Sequence, residues 1–188
     1  MIEPGLARIE GFIKIHDPNT GEVLVDKKNA IHYENISIAM AQALSNRLDA
    51  NGSSLGIIYS MAFGNGGSSV DPTGVITYLP PNTVGQNAGL YNETYAKVVD
   101  DNSAADSDPD TNFMTVIHTA GTVYTDILVT CLLDYGEPPT QQAFDNSTNF
   151  NGEYVFDELG LKSWNGSATD LRLITHVIFH PVQKSLNR

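Results

Sequence analysis

Cysteine is almost absent from this chain. Cys131 stands alone, so no disulfide can form within the chain, and its place in an apolar strand pattern predicts a buried thiol. Basic residues are scarce as well. Ten Lys and Arg face 22 Asp and Glu, for a net charge of −12. That balance excludes a surface that grips nucleic acid by neutralising phosphates, and it argues against an anionic membrane as partner. No apolar run approaches the roughly 20 residues needed to cross a bilayer. Met1–Leu6 has neither the cationic start nor the apolar segment of a signal peptide, so the expectation is a chain made in a cytoplasm that stays soluble.

Signatures of chemistry are equally thin. The Gly64–Ser69 loop could offer backbone N–H groups to a phosphate, but no Gly-Lys-Ser/Thr follows, and Val70–Tyr78 reads as turn and strand where a nucleotide site needs a helix. No serine-nucleophile elbow is read. Of five histidines, His176 and His180 have zincin spacing. On a strand, a rise of about 3.3 Å per residue sets them roughly 13 Å apart, too far for one ion. Asp157 and Glu158 are adjacent on a strand and point to opposite faces, so they cannot act together on one bond. Asp106, Asp108 and Asp110 begin like a calcium loop, yet Thr111 stands where an EF-hand has Gly and Ile117 where it has Glu. They are the weak metal candidate. The expectation is no enzyme, no cofactor and no nucleotide.

What the sequence does contain is strand and turn. Its 188 residues, 41% hydrophobic, suffice for one domain with a sizeable core. Residues 9–50 read as a hairpin followed by a helix. Ile13, Ile15, Val23 and Val25 alternate around a turn at His16–Gly21. The Asn29–Leu48 stretch is the one substantial helix, placed at about 35–48 and capped by Asn35 or Ser37. Ile36, Met40, Ala43, Leu44 and Arg47 or Leu48 form a stripe expected to lie on a sheet or on a neighbouring subunit. Residues 55–133 hold the central strands and the acidic 100–110 loop. Ile57, Tyr59 and Met61 alternate in one strand, and Thr94–Val99 is another. Thr111–Thr119 and Val123–Leu133 give the strongest alternation, with Val123, Ile127, Val129, Cys131 and Leu133 as the buried face of a long central strand. Residues 134–188 read as a loop, a strand at Tyr154–Leu161, a turn at Trp164–Gly166, a strand at Leu171–Phe179 stopped by His180-Pro181, and a basic tail. The fold class expected is mainly β, an antiparallel sandwich or barrel-like domain with one amphipathic helix packed on it.

Several stretches carry a family resemblance: Asn29–Asn35, Phe63–Gly67, Leu133–Pro138, Phe156–Leu161 and Thr175–Pro181. Together they resemble virion structural proteins of contractile-tailed bacteriophages, especially those of marine and cyanobacterial hosts. The resemblance implies a β-rich homo-oligomer in the tail, neck or baseplate of the particle, ring-like and docked to other virion proteins. No active-site role comes with it. The bottom-up reading adds interface candidates: Tyr78, Tyr91 and Tyr95 in or beside the long loop, and Arg172, Lys184 and Arg188 toward the basic tail, which could dock on the acidic body of a neighbour. Two alternatives stand beside it. One is a receptor- or carbohydrate-binding module using Trp164 and the tyrosine loop, and the other is a capsid decoration protein.

Overall fold

A computed structural model describes residues 8–138 and 155–184. Strands dominate it: β1 (Gly11–His16), β2 (Val23–Ile31), β3 (Ile58–Gly64), β4 (Ser68–Val70), β5 (Ile76–Tyr78), β6 (Glu93–Val98), β7 (Phe113–Ile117), β8 (Asp126–Thr130), β9 (Val155–Ser167), β10 (Asp170–Leu173) and β11 (Thr175–Gln183). One helix, α1 (Tyr33–Leu44), follows β2. The main sheet has the order β1-β2-β11-β9-β3-β6, with β10 also paired to β9. Every strand pair is antiparallel. The expected class, a β-sandwich-like domain with one helix, is what the chain forms.

The core explains the closure. β2 pairs with β11 at only two positions, Thr175 with Ile31 and His176 with Ala30. Beyond them the β1–β2 hairpin leaves the ladder and lays Val25, Ile13 and Ile15 against Phe63, Phe156, Leu159, Val177 and Phe179 of β3, β9 and β11. Leu133 and Cys131 pack onto the same cluster from the segment after β8. Each fully buried side chain of this size contributes roughly 1.5–3 kcal/mol. Cys131 is therefore a packing residue. Burial pushes its thiol up to about 12, Lys97 opposing while Glu137 and Asp106 add to the rise. Since the thiolate is the nucleophile, iodoacetamide at neutral pH is expected to label the native chain at least about 100-fold more slowly than the urea-unfolded chain. Mass spectrometry of quenched time points checks this.

The helix differs from its expected form. It begins at Tyr33, and the cap is His32, whose ring Nδ1 accepts from the Asn35 N–H at 3.2 Å. Asn35 and Ser37 lie inside the first turns. Asn35 is fully buried, donating through Nδ2 to Leu173 O at 2.9 Å. That bond, with Ala39, sets the inward face. The predicted stripe consequently turns outward: Met40, Leu44 and Leu48 are exposed, Leu44 to 84%. The helix stops at Ser45-Asn46, where Asn46 takes φ +50, ahead of the expected Asn51-Gly52.

The second difference concerns the strongest strand signals. β7 and β8 do pair antiparallel, Phe113 with Thr130 through Ile117 with Asp126, but they form a separate two-stranded ribbon outside the main sheet. Val123 and Ile127, expected in the buried face, are exposed, Val123 completely. The remaining differences lie in β9 to β11. Trp164–Gly166 belongs to β9, with the turn displaced to the two residues after Ser167. The single strand expected at Leu171–Phe179 breaks at Ile174 into β10 and β11. Pro181 sits inside β11, in a bulge between Ile178 and Val182 opposite Asp157, where its missing N–H costs no ladder bond.

Candidate functional site

The largest collection of buried polar groups lies where β9 and β11 meet the 65–92 connection. β9 presents Asp157 and Glu158, both buried. Glu158 Oε1 accepts from the N–H groups of Gly66 (3.0 Å) and Asn92 (2.8 Å). Its Oε2 accepts from the Tyr91 N–H (2.9 Å) and meets His176 Nε2 at 3.0 Å. Asp157 takes the next two amides of the same loop, Gly67 at 2.9 Å and Ser68 at 2.7 Å, together with the Ser68 hydroxyl. The loop comes this close because Gly64 has no side chain. A Cβ there would stand 2.5 Å from Asn92 O and from Glu158 Oε1. Similarly, a Cβ at Gly160 would meet Thr175 O at 2.6 Å.

Two histidines complete the arrangement. His176 Nδ1 accepts from the Asn82 N–H at 2.8 Å, so its proton resides on Nε2, which donates to Glu158. His32 is set the same way, its Nδ1 accepting from Asn35 and its Nε2 donating to Gly85 O at 2.9 Å. Both rings are completely buried. The Tyr91 ring lies 5.7 Å from that of His176. Burial by itself would raise the Glu158 carboxyl, but the bonds from His176, Asn92, Tyr91 and Gly66 overcome it and hold the group below the ordinary carboxylate range. Four donors fill the acceptor positions of a carboxylate. Glu158 thus works as an anchor, and the loop amides that a phosphate would take are held by carboxylates of the same chain. The two acids do share one target, the Gly66–Ser68 loop, despite adjacent places on β9.

A second anchor roots the ribbon. Lys97, buried on β6, donates to Glu137 Oε2 at 2.6 Å and to Leu132 O at 2.8 Å. Burial raises the Glu137 carboxyl, yet the Lys97 bond and the Asp134 N–H bring it below its usual range. Asn112, wholly buried, accepts from the Leu132 N–H at 3.2 Å and donates to Asp108 O at 3.0 Å.

Two members of the acidic triplet serve local turns. Asp106 Oδ1 accepts from the Asp108 N–H at 2.9 Å, and Asp108 Oδ2 accepts from the Thr111 hydroxyl at 2.7 Å. Among the described residues no three His, Cys, Asp or Glu side chains converge as a metal site.

The interface candidates scatter. Tyr78 and Tyr91 are exposed, their hydroxyls on His180 Nδ1 (3.2 Å) and Pro80 O (2.8 Å). Tyr95 is a correction, because its ring packs 6.3 Å from that of Phe63 beside the core. Arg172 lies half-buried on β10. Lys184 donates to Asp134 O at 2.9 Å and covers the Tyr135 ring, while Arg188 lies outside the described residues. Trp164, the sugar-platform candidate, packs at a tilt against Tyr59, ring centroids 4.6 Å apart, and donates its indole N–H to Asp49.

Gly52-Ser53-Ser54-Leu55-Gly56 has the spacing of a nucleophile elbow, contrary to the expectation that the chain holds none. It leads from α1 into β3, whereas that elbow needs a strand-to-helix turn.

Exposed apolar side chains include Tyr33, Met40, Leu44 and Leu48 on and after α1, Val116, Ile117, Val123, Tyr124, Ile127 and Leu128 on the ribbon, and Val70, Val75, Tyr78 and Leu79 on and beside the β4–β5 hairpin. No family model, no curated protein and no solved structure matches this chain.

Proposed function

We propose that this chain is a structural subunit of a contractile-tailed phage particle, placed in the tail, neck or baseplate, where it assembles with copies of itself and docks neighbouring virion proteins. The observation that carries the reading is the division of labour between interior and surface. The acids and histidines of the buried network hold backbone amides, while ten large apolar side chains of α1 and the ribbon stand in water. Apolar patches of that extent mark protein–protein contacts. The residues behind the family resemblance add support. His32 and Asn35, Gly64–Gly67, Asp157–Gly160 and His176 all belong to one buried framework, which is how a recurrent structural motif behaves. In this role the protein resides in the virion and needs no cofactor.

The test is electron microscopy of particles carrying an epitope on this chain, with mass spectrometry of the same particles. Label on the tail axis, neck or baseplate is expected. Label on capsid faces would replace this reading with a decoration protein, and particles lacking the chain would overturn it.

A further inference from the structure

We infer that Asn51 is a self-modification site, where the side-chain amide is lost spontaneously to water, while the same dipeptide elsewhere in the fold is held intact. The inference goes beyond the reading above and does not depend on it.

Asparagine is chemically labile, and a glycine after it opens one route. The glycine nitrogen loses its proton to solvent base and attacks the asparagine Cγ. An N–C bond forms, the Cγ–Nδ2 bond breaks, and ammonia leaves, taking back through solvent the proton that the nitrogen lost. Water then opens the cyclic imide at either carbonyl, giving aspartate or isoaspartate. Nothing is oxidised or reduced, and water is the one co-reactant. Glycine suits the step because no side chain obstructs the closing ring. Two groups must be free: the asparagine amide, to swing onto the backbone, and the glycine N–H, to give up its proton.

Asn-Gly occurs at 51–52, 65–66, 151–152 and 165–166, of which 151–152 lies outside the described residues. The fold blocks two of the others. At Asn165 both ends of the amide are held, Nδ2 donating to Asp170 Oδ2 at 2.6 Å and Oδ1 accepting from Gln42 Nε2 at 3.1 Å. At Asn65 the Oδ1 accepts from Asn92 Nδ2. The Gly66 N–H beside it donates to the buried Glu158 carboxylate at 3.0 Å, so deprotonation would set an amide anion against a carboxylate. Space is also short there, since a Cβ on Gly66 would stand 2.7 Å from the Asn92 nitrogen.

Asn51-Gly52 differs on each count. It is exposed, at the tip of the turn that leads from α1 to β3 and is closed by the Leu48–Ser54 bridge. The Asn51 side chain has no hydrogen-bond partner among the described residues; its backbone N–H alone is held, by Asp49 Oδ1 at 2.8 Å. The Gly52 N–H makes a long bond of 3.2 Å to the neutral Asp49 carbonyl. A Cβ on Gly52 would meet nothing within 4 Å, so the ring has room to close. The product is not silent. It adds a carboxylate two residues from Asp49, whose Oδ1 also holds the Ser53 N–H and whose Oδ2 holds the Trp164 indole. Isoaspartate further inserts a methylene into the main chain of that turn. Chemical ageing is thereby directed to the seam between the α1–β3 connection and β9.

The test is incubation of the full native chain at mildly alkaline pH, well below its melting temperature, with peptide mapping by mass spectrometry at successive times. A parallel sample is held in urea, where the fold protects none of the pairs. In the native chain Asn51 is expected to convert more than about tenfold faster than Asn65 or Asn165, the factor expected when a charge-assisted hydrogen bond must first open. In urea the three rates are expected to converge. Equal native rates at the three pairs, faster conversion at Asn65 or Asn165, or an Asn51 that converts only in urea would each overturn the assignment. Rates in urea that kept the native order would also overturn it, because the selectivity would then belong to local sequence and not to the fold.

Discussion

Glu158→Ala is expected to destabilise the fold by about 3–5 kcal/mol, the cost of removing one partner from a buried charged network. At roughly 2–4 °C per kcal/mol for a chain of this size, the melting temperature falls by about 6–20 °C. The substitution leaves the Gly66, Tyr91 and Asn92 amides and the His176 Nε2–H without their acceptor, in a place that water reaches only if the connection lifts. An unsatisfied buried donor carries its full desolvation cost, so loss of four is far worse than loss of a surface pair. Glu158→Gln keeps the shape and one acceptor oxygen but turns an NH₂ toward amide donors, and is expected to fall between wild type and alanine. The exposed Arg8–Glu10 pair is the control; Glu10→Ala should leave the melt where it was. Thermal unfolding by circular dichroism orders the variants. Hydrogen exchange adds a local readout: in Glu158→Ala the amides of Gly66, Tyr91 and Asn92 lose protection before those of β3. A melt indistinguishable from the Glu10→Ala control would remove the anchor from the account of stability.

Part of the β framework is legible in the sequence: the Ile57, Tyr59 and Met61 alternation marks β3, and the Tyr154–Leu161 stretch falls on β9, although both strands also bury residues of the opposite face. The same signal misplaced the ribbon. Val123, Ile127 and Val129 alternate as a core strand does, but alternation reports what a face is made of, not whether this chain or another covers it. The helix failed for the converse reason. Its inward face is set by Asn35, a polar residue whose bond to Leu173 O spans 138 positions, while the apolar line that a periodicity count favours faces water. A histidine cap is outside the usual Ser, Thr, Asp and Asn set, so His32 carried no local signal. The anchor was invisible in principle. Residues 66, 91, 92, 158 and 176 come together only through sheet order, and nothing local in Phe156–Leu161 says that its two acids will hold one glycine loop.

Acid should loosen that anchor, and the direction follows from the carboxyl shifts. Glu158 and Glu137 both sit below the ordinary glutamate value in the folded chain. A group with a depressed folded value binds its proton more readily when unfolded. Its contribution is therefore complete above the unfolded value and is lost as pH falls through the folded one. Asp100 works the other way. Burial raises it, the Asn102 N–H lowers it, and Asp101 and Asp106 raise it further. Its folded form takes a proton more readily, so it favours the fold as pH drops and opposes it at neutrality. The exposed Glu10, Asp49 and Asp71 are lowered as well, so the depressed carboxyls outnumber the raised Asp100 and leave a net loss on acidification. Urea midpoints are expected to hold steady from neutrality to about pH 5 and to decline below it. Each proton taken up on unfolding contributes a slope of about 1.4 kcal/mol per pH unit. Glu158→Gln removes at most one such proton from the slope, whereas Asp100→Asn raises the midpoint at neutral pH and steepens the acid decline. The ordering of the three curves is the discriminating result. If Glu158→Gln declined as steeply as wild type, the acid sensitivity would belong to other carboxylates and Glu158 would not be the group that holds the connection down.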